Sequence, residues 1–219
     1  MIKRFPTRLQ TAAHSSAEEV SSLHVASQFE EGDEGLAWVH WMFQSARLRH
    51  GALTFTSQGS GRPAVLVDWE KYVRTLWLPL LAPAMLRGWQ AALDNDDAGL
   101  HTLAVELNQT LDPETARHSI GAGSWLLTST QGAKYQGPLG RLRNKVDLGE
   151  TEPHLPVVWA AIAALFQLPA PDLLMAVLRE EWRAGCPEGL PHAEPQGPLS
   201  FGALTATALH ASFQARTVA

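Results

Sequence analysis

His154-Leu155-Pro156-Val157-Val158-Trp159-Ala160-Ala161-Ile162-Ala163-Ala164-Leu165-Phe166-Gln167-Leu168-Pro169 is the stretch whose reading decides the fold class. From Pro156 to Gln167 it reads as an alanine-rich helix carrying Val157, Val158, Ala161 and Leu165 at helical spacing. A partner helix follows over Asp172 to Ala184, stopped by Gly185. Working upstream, Asp112-Pro113 opens a helix with proline at its first position, and that helix carries Gly121 and Gly123. Glycine inside a helix costs roughly 1 kcal/mol relative to alanine, so its presence predicts a close crossing with a neighbour. Leu100, Leu103, Ala104 and Leu107 make a further apolar stripe after the polar turn Asp94 to Asp97.

Further upstream, Asp68 reads as an N-cap for a long run carrying Tyr72, Val73, Leu76, Leu80 and Leu81. Pro79 and Pro83 must kink or split that run, because each removes a backbone donor and crowds the preceding turn. Residues 47–63, with Gly51, Gly59, Gly61 and Pro63, read as an ordered loop. Residues 64–67 alternate weakly, as a strand would. Asp33 could cap a helix carrying Leu36, Val39, Phe43 and Ala46, and Ser16 to Glu19 reads as a capping box ahead of a short helix. Residues 131–153 read as a long glycine-rich connection. Residues 186–198 hold four prolines and read as a loop, after which a last helix spans about 199–214. The expected fold is all-α: a single-domain bundle of about seven to eight helices over residues 31–219, preceded by an N-terminal arm and short helix over 1–30.

Composition restricts the function classes. The chain has 219 residues, 45% of them apolar and 18% charged, as ordinary globular proteins do. Its net charge is −5 and no Lys/Arg-rich run is present, so the footprint of a nucleic-acid binder is missing. Cys186 is the only cysteine, which forbids an internal disulfide or a thiolate zinc cluster within one chain and suits a reducing compartment. No apolar core follows Lys3 and Arg4, so no secretory signal is expected, and no apolar stretch is long enough to span a bilayer. The expectation is a cytoplasmic protein with no membrane or nucleic-acid partner.

The candidate chemical motifs each fall short. Gln58 to Arg62 is glycine-rich but lacks the Lys-Ser/Thr of a phosphate-binding loop. His192-Ala193-Glu194 has the look of half a zinc-deaminase site, yet no Pro-Cys-x-x-Cys follows. Gly123-Ser124-Trp125 is not a nucleophile elbow, and only a triad assembled from distant residues would remain for a hydrolase. None of the nine histidines forms a His-Glu-x-x-His pattern, and Cys186 with His192 supplies too few metal ligands alone. The eight tryptophans read as core packing, with Trp38 and Trp41 sharing a face that a protein partner could use. The expectation is a protein-binding factor with no catalytic residue, no metal site and no cofactor.

Four segments resemble the urease accessory protein UreF family. Residues 48–59 are similar to its Leu-Pro-x-Gly-aromatic-Ser-aromatic-Ser-x-Gly stretch, with one residue inserted and without the family's proline. Glu114-Thr115, then Ser119, Gly123 and Leu126-Leu127, resemble a second segment. His154-Leu155-Pro156-Val157-Val158, running on to Leu168-Pro169, is similar to the family's His-x-Pro-Val helix ending in Gly-Leu-Pro. Pro198-Leu199-Ser200-Phe201-Gly202 stands where the family has Pro-Leu-Gly-Gln. The resemblance implies an all-helical, non-enzymatic chaperone that assists nickel insertion into urease. It implies a homodimer that binds a UreD/UreH-type scaffold protein and recruits a UreG-type GTPase and apo-urease. The partner-binding residues it implies are Gly51, Phe55, Ser57, Gly59, Pro198 and Leu199. The competing readings are a TorD/NarJ-like maturation chaperone that binds signal peptides, a helical subunit of a larger complex, and an enzyme with a dispersed site.

Overall fold

The alanine-rich stretch forms the centre of the fold. In the computed structural model, which describes residues 53–130, 137–187 and 193–218, the helix Leu155–Leu165 is buried at every position from Leu155 to Ala164. A helix apolar on all sides belongs in an interior, and small alanine side chains let its neighbours come close. The described residues lie within the compact unit Met42–Ala219.

In chain order the elements are α1 (Arg62–Tyr72), a π-helical segment (Val73–Leu81), α2 (Ala82–Leu93), α3 (Asp97–Thr110), α4 (Pro113–Ser129), α5 (Pro138–Asp147), α6 (Leu155–Leu165), α7 (Ala170–Gly185), a 3-10 turn (Gly197–Leu199) and α8 (Phe201–Val218). The first three run without a break, so the described residues hold seven helical rods and no strand. The all-α bundle expected from the sequence is the observed one. The central α6 packs chiefly against α2 and α4, with α5 on another side, while α8 lies along α7. No helix among the described residues is long and apolar enough to cross a membrane.

Local chemistry sets the boundaries. The Asp112 carboxylate accepts from the N–H groups of Glu114 (3.1 Å) and Thr115 (3.0 Å), and Asp96 does the same for Gly99 (2.9 Å), satisfying donors that a helix start leaves open. Gly123 explains itself: a Cβ there would overlap the carbonyl oxygen of Pro153, where α4 crosses the entry to α6.

Three local expectations are corrected. Asp68 is not an N-cap, because α1 begins at Arg62 behind Gly61, with Pro63 in its first turn, and absorbs the weakly alternating residues 64–67. Pro79 does not end the helix. The backbone widens into the π-helical segment, which passes over the missing donor, and Pro83 then falls in the first turn of α2. The connection after residue 130 contains α5, whose Leu139 and Leu142 are buried. The division near residue 30, and Trp38 and Trp41, lie outside the described residues.

Candidate functional site

Two of the family-like segments meet around His154. The ring is fully buried, with Nε2 2.8 Å from Asn108 Oδ1 and Nδ1 3.2 Å from Ser119 Oγ. Because the Asn108 oxygen accepts, the ring proton sits on Nε2, and Nδ1 accepts from the Ser119 hydroxyl. Ser119 Oγ in turn accepts the Leu155 N–H at 3.1 Å. Burial lowers the His154 pKa to about 4, so the ring is neutral near pH 7. The grouping has the residue types of a hydrolytic triad, but Ser119 is wholly buried, out of reach of a substrate. It is a structural clasp that fixes the start of α6 to α3 and α4.

The other two segments meet on α1 and α7. Phe55 is buried, with its ring 5.0 Å from Trp69, 5.2 Å from Tyr72 and 6.4 Å from Trp182, centroid to centroid. Trp69 also meets Phe201 edge-on at 6.2 Å, and its indole N–H points to the Leu199 carbonyl at 3.4 Å. One tryptophan therefore touches both the loop and the C-terminal segment. Aromatic packing of this kind contributes about 0.5–1.5 kcal/mol per pair beyond the area buried.

Beneath the loop lies a group with no apolar justification. Glu181 is fully buried (0% exposed), and its carboxylate accepts from the backbone N–H groups of Thr54 (2.9 Å) and Phe55 (2.8 Å) and from the Thr54 hydroxyl. Thr54 Oγ1 is 2.8 Å from the Tyr72 hydroxyl. Burial pushes the Glu181 carboxyl above its ordinary range, against the pull of those donors. Burial, and then the Glu181 charge, push the Tyr72 phenol well above its usual value.

The outer half of the loop is held from α1. Ser57 Oγ donates to Asp68 at 2.6 Å, the Gln58 N–H points to the same carboxylate at 3.2 Å, and the Gly59 N–H donates back to Ser57 Oγ at 3.0 Å. Ser57 N–H donates to the Gly185 carbonyl at 3.0 Å. A Cβ on Gly185 would overlap Phe55, and one on Gly59 would come within 2.7 Å of the Ala64 Cβ. What the loop shows to solvent is Thr56, Gln58 and Ser60.

Of the residues singled out by sequence, the structure brings Phe55, Ser57, Gly59 and Leu199 around α1, with Pro198 exposed beside them. Gly51 lies outside the described residues. A groove of about 480 Å³ opens between Arg62, Leu66, Val67 and Glu70 of α1 and Gln196 and Leu199. Arg62 also donates to the Ala193 and Glu194 carbonyls (3.3 and 3.4 Å), and Glu194 accepts the Phe201 N–H at 3.0 Å, so Glu194 acts as a cap for α8. Sequence reasoning missed Glu181, and it read Asp68 and Gly185 only as helix boundaries, without their part in holding the loop. A signal for Glu181 was present: it lies four residues after Val177 and three after Leu178, on the apolar stripe of α7. Among the described residues no group of three or more His, Cys, Asp or Glu is placed to hold a metal ion, and Cys186 is buried.

A family model described as UreF matches residues 63–182, more than half of the chain. The match runs from the first turn of α1 into the last turns of α7. It includes Asp68, Trp69, Tyr72 and Glu181 but neither the loop they hold nor α8. No curated protein matches the chain.

Proposed function

Since the chain belongs to the UreF family of urease accessory proteins, we propose that it is a non-enzymatic maturation chaperone that assists nickel insertion into urease. It does so as a homodimer in the cytoplasm, by binding a UreD/UreH-type scaffold protein and recruiting a UreG-type GTPase and apo-urease. Residues 31–219 are the working domain and residues 1–30 an arm. The family match carries this reading, because it spans the central helix and both helices that hold the loop. The single cysteine suits the compartment.

The contact surface in this proposal is the loop with Gly51, Phe55, Ser57 and Gly59, continued by Pro198 and Leu199. Phe55 serves it as an anchor, since its ring is buried, while Thr56, Gln58 and Pro198 supply exposed atoms. The groove beside Leu199 could take an apolar partner side chain against the exposed Val67. The test is co-purification of the tagged protein from cells that express a urease operon lacking its own UreF. Recovery of the UreD/UreH-type and UreG-type proteins is expected. Recovery of neither would overturn the proposed partners.

A further inference from the structure

We propose that Glu181 is the positioning residue of the loop, the group that selects the one conformation in which Thr56 and Gln58 face a partner. The inference rests on the loop being the contact surface.

Taking a carboxylate out of water is costly, and the cost has to be offset by pairing or by hydrogen bonds. Glu181 is fully buried, and no cation among the described residues pairs with it. The groups that face it are Thr54 and Phe55 from the loop and the Tyr72 phenol from α1. Three of its hydrogen bonds come from two consecutive loop residues. Apolar packing of Phe55 alone would bury the ring without fixing the backbone around it, because hydrophobic contact is non-directional. The carboxylate supplies the direction. It orients the Thr54 and Phe55 peptide groups, and the chain then leaves that anchor toward Ser57, which Asp68 and the Gly185 carbonyl take up. Thr56 is held between these two anchors and is exposed.

The full-length protein tests this with Glu181→Leu and Glu181→Gln. Leucine fills the site with apolar atoms but leaves two loop N–H groups without an acceptor. Glutamine keeps an acceptor oxygen for them, and its amide can donate to the Thr54 hydroxyl. Backbone hydrogen exchange at Thr54 and Phe55, the melting temperature, and affinity for the UreD/UreH-type protein are read together. In the leucine variant the two amides exchange roughly a hundredfold faster, α-helical amides stay protected, and affinity drops about tenfold or more. Glutamine restores both protection and affinity. Amides that stay protected in the leucine variant would overturn the proposal. A freed loop with unchanged affinity would overturn it through its premise, by showing that the loop is not the contact. If the leucine variant does not fold, glutamine decides: a folded glutamine variant with a freed loop is incompatible with positioning through hydrogen bonds.

Discussion

At Gly123 the absence of a β-carbon lets α4 and the entry to α6 cross, because the Pro153 carbonyl oxygen occupies the space. Gly123→Ala would normally strengthen a helix. Here we expect it to destabilise by about 3 kcal/mol through overpacking, read as a lowered melting temperature, and an unchanged one would disprove the crossing. His154 sets a pH dependence. Its folded pKa, about 4, lies below the ordinary value of 6.5, so its stabilising contribution is complete above pH 6.5. That contribution drains as pH falls from 6.5 toward 4, by about 3 kcal/mol in all. Glu181 acts in the opposite sense: its raised pKa means that falling pH relieves a buried charge above its unfolded value. Urea midpoints of the wild type and His154→Gln, taken between pH 7 and 4.5, should converge as pH falls. Parallel curves would mean the ring is not held neutral.

Among the elements, the loop over residues 53–60 depends on a helix distant in sequence. Gly185 ends α7 directly under Phe55, and its carbonyl takes the Ser57 N–H. Gly185→Ala should therefore displace the loop rather than unfold α7, with a shifted Trp69 and Trp182 fluorescence and intact helical circular dichroism. Loss of helix instead would place the effect in α7 itself. The π-helical segment is the other element-scale device. Two prolines four residues apart would be expected to interrupt a helix, yet Val73, Trp77 and Leu81 stay on a buried face across it. Tertiary packing of that face outweighs the lost backbone donors. The sequence could signal the disturbance, since proline cannot donate, but not its form.

For the whole molecule, α8 divides into a packed half and an exposed half. Phe201, Leu204, Thr205 and Ala208 are buried, while residues 210, 211 and 213–215 are exposed. Truncation after His210 should lower the melting temperature by only about 1 °C, the shift that a few tenths of a kcal/mol produce in a chain of this size. Truncation after Ser200 also removes Phe201 from Trp69 and should cost several kcal/mol. Equal effects from both cuts would contradict this division. The same view explains why no partner surface follows from one segment: Leu199 and Phe55 are 144 positions apart, and both meet Trp69.

The sequence by itself determined the all-α class, the central helix, the caps at Asp112 and the close approach at Gly123, because periodicity, capping and glycine costs act over a few neighbouring residues. It also carried the family, through the order of short motifs. Tertiary structure alone decided that Asp68 fastens a loop instead of capping a helix, and that Pro79 widens one instead of ending it. It alone showed that a glutamate on an apolar stripe holds two peptide groups from 127 and 126 positions away. Those outcomes depend on which groups meet after folding. A buried hydrogen bond is decided by the distance between its partners in space, and the local pattern of the chain does not carry that distance.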